Sequence, residues 1–143
     1  MPRDCPSHRV PKNPKQNLSH SHLHAITANS GQSYNWAVPS PGGRQLAFMR
    51  WHVAGVKIRI FVMPFGGGTE RPVTPAHLEA WAPDWAPNGE RIVFSSHIFR
   101  DRPNGAIYTV RPDGTGLQQL TSPPWPLEDF EASYAPDGNK LVF

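Results

Sequence analysis

Pro83-Asp-Trp-Ala-Pro-Asn-Gly-Glu-Arg-Ile-Val-Phe94 is a phrase that the chain writes three times. It stands upstream as Ala37-Val-Pro-Ser-Pro-Gly-Gly-Arg-Gln-Leu-Ala-Phe48 and downstream as Ala132-Ser-Tyr-Ala-Pro-Asp-Gly-Asn-Lys-Leu-Val-Phe143. The closing phenylalanines lie 46 and 49 residues apart, a period that belongs to repeat arrays. The likeness continues beyond the phrase. Arg59-Ile-Phe61-Val-Met-Pro-Phe-Gly-Gly67-Gly-Thr-Glu-Arg-Pro-Val-Thr74 aligns without a gap on Ala106-Ile-Tyr108-Thr-Val-Arg-Pro-Asp-Gly114-Thr-Gly-Leu-Gln-Gln-Leu-Thr121. In each, the aromatic precedes a turn glycine by 6 residues and a closing threonine by 13.

Each unit reads as two hairpins in series. Leu46-Ala-Phe48, Ile92-Val-Phe94 and Leu141-Val-Phe143 are too short for helices, carry β-branched and aromatic residues, and follow glycine-containing turns, as buried strands do. In Pro-Asn-Gly and Pro-Asp-Gly, proline pre-sets φ at the first corner. Asn or Asp accepts a hydrogen bond from the nearby backbone, and glycine takes the left-handed conformation. The turn glycines of the first hairpins are Gly43, Gly89 and Gly138, and those of the second are Gly67 and Gly114. Four antiparallel strands per unit, repeated, predict an all-β chain of propeller blades. The expected organisation is a polar tail over 1–31, a first blade over about 32–76, a second over about 80–123 and a partial third over about 129–143.

The letters Trp85-Ala-Pro-Asn-Gly89, Ile92-Val-Phe94, Ile107-Tyr-Thr-Val110, Asp113-Gly114 and Leu120-Thr121 resemble the repeat of the TolB-type, WD-repeat-like β-propellers. The propeller domains of prolyl oligopeptidase relatives share that repeat. Tyr134-Ala-Pro-Asp-Gly138 continues it in the third unit. The first unit departs from it, with Pro39 in the aromatic position and Gly42 in place of Asp. An interior proline cannot donate to a ladder, so weak pairing of that strand is expected, with Trp36 substituting for the missing packing. Two and a half blades are fewer than the four to eight that close a ring, and the reading is a fragment of a longer protein, poorly cooperative in isolation.

Composition fits a β-rich chain: 38% hydrophobic residues, 12 glycines and 17 prolines, with no run near the roughly 20 apolar residues of a membrane helix. The single cysteine, Cys5, excludes an internal disulfide. No apolar segment follows Met1, so no secretory signal is visible. Arg3, Arg9, Lys12 and Lys15 against Asp4 give the tail a net charge of +3, the whole formal charge of the chain. The repeats are neutral, and nucleic acid is not the expected partner.

Few residue clusters in the chain carry chemistry. His20, His22 and His24 alternate along the tail and would share one face of an extended chain, as metal ligands could. With no carboxylate or thiolate at defined spacing they read as an incidental tract. Gly66-Gly67-Gly68-Thr69 lacks the lysine of a phosphate loop and reads as a hairpin turn. No Gly-x-Ser-x-Gly elbow is present, and the segment is expected to be non-catalytic and without a cofactor. Trp85 and Tyr134, at one repeat position, are expected to pack between blades together with Phe48, Phe94 and Phe143. Trp51, Trp81 and Trp125 fall outside the repeated positions, in or beside loops, where contact residues concentrate. Arg100 and Arg102, with Arg50 and Lys57, could form a basic rim.

The resemblance implies a non-catalytic scaffold that binds another protein or peptide. In the TolB family that work is done in the bacterial envelope with the peptidoglycan-associated lipoprotein, in support of membrane integrity and protein import, which implies an extracytoplasmic, periplasmic location. The alternative is the substrate-gating propeller of a prolyl oligopeptidase or dipeptidyl peptidase type serine peptidase, with its hydrolase domain outside this chain. Further repeats and an export signal would mark the first, and a downstream hydrolase the second.

Overall fold

The computed structural model describes residues 32–52, 58–98 and 102–143. His20, His22, His24, Lys57 and Arg100 lie outside them. The described chain is all β. A first four-stranded sheet runs β1 (Gln32–Pro39), β2 (Gln45–His52), β3 (Arg59–Pro64) and β4 (Arg71–Pro72) in sequential order. A second repeats it with β5 (Glu79–Trp85), β6 (Ile92–Ile98), β7 (Arg102–Val110) and β8 (Gln118–Gln119). The third unit contributes the hairpin β9 (Ser133–Tyr134) and β10 (Leu141–Val142). All pairings are antiparallel.

Repeated letters occupy repeated positions. Phe48 pairs with Phe61 and Phe94 with Tyr108; their rings stack with centroids 6.1 and 5.8 Å apart. Such aromatic pairs add about 0.5–1.5 kcal/mol beyond their burial. The closing threonines have a matching task. The Thr74 hydroxyl accepts the Ile60 amide at 3.1 Å, and the Thr121 hydroxyl accepts that of Ile107 at 2.9 Å. Both amides sit where a two-residue fourth strand has run out of backbone partners, and a buried N–H left unpaired would cost about 1–3 kcal/mol.

The turns also recur. Gly89 and Gly138, both at φ +73, donate to the carbonyls of Ala86 and Ala135. The Asn88 and Asp137 side chains accept the amides of Glu90 and Asn139. A Cβ added to Gly89 would lie 3.9 Å from the ring of Pro41, and one added to Gly138 would lie 3.6 Å from that of Pro87. Each turn therefore rests on the proline of the unit before it. Gly43, Gly67 and Gly114 also take positive φ.

Between the first two sheets lies the main core: Ala47, Met49, Ile60 and Val62 face Ile92, Phe94, Tyr108 and Val110. Trp85, 5% exposed, joins this cluster and donates from Nε1 to the Val38 carbonyl at 3.1 Å, tying the second sheet to the first. A smaller cluster of Val93, Ile107 and Ala132, with Tyr134 and Leu141 packed on it, joins the third unit to the second.

Three expectations are corrected. β1 pairs with β2 on both sides of an irregularity at Trp36 and Ala37, with Pro39 opposite Leu46, because β1 is the edge of its sheet and the missing proline N–H faces no partner strand. Trp36 does not replace the absent aromatic; it is 53% exposed, and Val38 meets the core in its place. Phe143 is 57% exposed where Phe94 is fully buried, because it follows β10, a strand paired only with β9.

Candidate binding cleft

The first strands of the three units converge. β5 packs against β1, β2 and β3, and β9 packs against β5. The two-residue strands β4 and β8 are exposed at the opposite edges. Where the first strands meet, the first two units carry a bulge and all three place a residue on left-handed backbone. Trp36, Ala82 and Glu131 stand at φ +50, +46 and +54, and the ladder slips between Asn35 and Val38 and between Trp81 and Asp84. These three residues are spaced 46 and 49 apart, as the phenylalanines are. Left-handed backbone is disfavoured by about 1–2 kcal/mol for a residue with a Cβ, and bulges of this kind re-aim side chains.

Hydrogen bonds from the second unit hold Glu131 and its neighbours in place. The Glu131 amide donates to the buried Ser95 hydroxyl at 2.8 Å, and the Tyr134 amide donates to Asp84 Oδ2 at 2.9 Å. The Asp129 amide donates to the Gly105 carbonyl at 3.0 Å. Phe130 lies so close to Gly105 that an added Cβ would meet its ring at 2.6 Å. The connection between the second and third units is thereby pinned from Asp129 to Glu131.

Two cavities open beside the bulges, of about 290 Å³ and about 170 Å³, and both are lined by Trp36, Ala82 and Glu131. Val38, Pro83, Asp84, Ala132 and Ser133 complete the larger; Trp81, Ser95 and Phe130 complete the smaller. Their shared wall makes them one cleft across three units. It presents an exposed indole, a second indole and two carboxylates. No basic side chain lines it among the described residues.

The contact candidates read from the sequence divide. Trp81 lines the cleft and also packs against the main core. Trp51 packs against that core from β2, so both residues belong to strands that outrun the apolar triplets. Trp125 is 67% exposed, away from the cleft. Arg102 belongs to β7. Arg50 is drawn onto its own sheet: it pairs with Glu70 and places its guanidinium 3.7 Å from the Phe61 ring centre. Arg59 donates to the Thr74 carbonyl; burial first, then the charge of Arg50, lowers its pKa.

The signal missed in the sequence is the bulge itself. Trp36, Ala82 and Glu131 share no chemistry and none is glycine, so their equivalence shows only in the backbone.

No protein-family model matches the sequence, and none of the curated proteins matches it. Solved structures do match. A protein described as TolB from Agrobacterium tumefaciens superposes with a TM-score of 0.68 at 24% identity, over 82% of this chain. TolB from Acinetobacter baumannii gives 0.61 at 21% identity over 77%. The fold is that of a TolB-type β-propeller. A puromycin-hydrolysing peptidase from Mycobacterium tuberculosis has it too, with a TM-score of 0.63 at 22% identity over 84% of this chain. The chain spans 39%, 26% and 20% of the lengths of these three proteins. In propeller terms the four-stranded sheets are blades, and β1, β5 and β9 are the strands that meet along the inner edge.

Proposed function

We propose that this propeller segment is a non-catalytic interaction scaffold whose inner-edge cleft holds a segment of another protein. The observation that carries the reading is Trp36, an indole held half in solvent on a left-handed backbone beside a cavity. Aromatic anchors next to pockets are where binding energy concentrates in interfaces, and strained backbone gathers at ligand clamps. The likeness to TolB structures supports the scaffold fold. Panning a displayed peptide library against the immobilised chain tests the reading, with Trp36→Ala and Trp125→Ala as parallel targets. Peptides that bind the chain and Trp125→Ala but lose Trp36→Ala support it. Failure to enrich any peptide, or enrichment indifferent to Trp36, contradicts it.

The peptidase neighbour favours a second reading, in which the same cleft belongs to a propeller gating a serine hydrolase. A coding sequence that continues into a Gly-x-Ser-x-Gly elbow would establish that reading over the first.

A further inference from the structure

We infer that the cleft between Trp36 and Glu131 takes a cationic side chain, an arginine or lysine of the docked segment. The inference rests on the scaffold reading and deepens it by naming what the partner must present. Three observations converge. The indole of Trp36 stands free enough to offer a ring face, and the face of an indole is the strongest of the aromatic partners for a guanidinium or ammonium. Two carboxylates, Asp84 and Glu131, line the larger cavity with it, and no basic side chain lines either cavity among the described residues. At about 290 Å³ the larger cavity falls at the small end of ligand sites, a size suited to one long side chain.

The Asp84 carboxylate is fixed, and so is the backbone that carries Glu131. Asp84 is held by the amide of Tyr134 from the next unit, and the backbone of Glu131 is held by Ser95 of the unit before. A cation entering between them would gain charge-assisted hydrogen bonds and ring contact together. A neutral apolar residue would gain the ring alone and would desolvate Glu131 without compensation. The repeated left-handed residue explains why such a site can be built: it places one residue of each unit at the shared cleft, and only two of those residues, Trp36 and Glu131, carry recognition chemistry. Ala82 between them leaves the room.

The test uses the full chain and two acetylated, amidated pentapeptides: Gly-Gly-Arg-Gly-Gly and its counterpart with citrulline, which keeps the shape of arginine and removes its charge. Binding is followed through the indole N–H signals of Trp36 and Trp81. The expected result is that the arginine peptide shifts the Trp36 signal and binds roughly tenfold tighter than the citrulline peptide, an advantage that shrinks with added salt. Glu131→Gln is expected to erase most of that preference while leaving the fold intact, since the side chain is exposed and its backbone amide is retained. Equal binding of the two peptides, or binding of neither, overturns the cation site. Library peptides that still require Trp36 in those cases would leave the scaffold reading standing.

Discussion

Ala82 carries a left-handed backbone at φ +46 on the inner strand of the second blade, although glycine would adopt it without penalty. The bulge is imposed by the convergence of three blades, since the same conformation recurs at Trp36 and Glu131 with unrelated side chains. Ala82→Gly is expected to stabilise the chain by about 1 kcal/mol in a denaturant titration, the relief of strain exceeding the loss of one buried methyl; destabilisation would show the bulge to be unstrained. Gly105 is the opposite case. Its φ is ordinary, and a methyl there would meet Phe130 Cε1 at 2.6 Å, so Gly105→Ala is expected to destabilise by about 1–3 kcal/mol. A neutral outcome would mean that the ring moves aside freely. Thr74 and Thr121 could be paired from their spacing alone, whereas Trp36, Ala82 and Glu131 could not. Strain in the backbone leaves no letter behind when three different residues bear it.

The hairpins are the elements whose chemistry the letters spell out. Asp113 accepts the Thr115 amide at 2.8 Å and the Thr115 hydroxyl at 2.7 Å. The hydroxyl first, then the amide, holds its pKa below the usual carboxylate value. A carboxyl depressed on folding contributes its stabilisation above the unfolded pKa and loses it as pH falls through the folded one. The side chain is fully exposed, so the turn feels this more than the whole fold. Thr115→Ala is expected to return the Asp113 titration toward that of an ordinary aspartate when followed by carboxyl NMR shifts; an unchanged titration would show that the hydroxyl does not hold the turn. Strand existence was legible in Leu46-Ala-Phe48 and Ile92-Val-Phe94. Strand length was not, because β2 continues through Arg50 and Trp51 and β5 begins at Glu79, where side chains give no simple alternation and pairing with neighbours decides. Pro39 misled for a related reason: a proline forbids an interior strand and is harmless on an edge, and edge position is a property of the sheet order.

At the scale of the molecule, the blades are coupled unequally. The first two share one core cluster and the Trp85 to Val38 hydrogen bond, while the third is joined through Val93, Ile107 and Ala132 with one hydrogen bond to a hydroxyl and one to a carboxylate. Repeat arrays open at their weaker interfaces first. Hydrogen exchange is therefore expected to release the Ala135 amide of the third unit well before those of Ile60 and Ile107; simultaneous release would make the whole array one cooperative unit. The period and the two turns per unit make this architecture legible in the sequence. The cleft was hidden, because it exists only where three inner strands from distant parts of the chain come together.

Incorporating 5-fluorotryptophan and recording fluorine NMR while adding a degenerate hexapeptide mixture puts the cleft to the most direct trial. The expected result is that the Trp36 and Trp81 resonances move while those of buried Trp85 and exposed Trp125 stay. Movement of Trp125 with Trp36 unmoved, or no movement of any resonance, would contradict the cleft as the place where this propeller meets its partner.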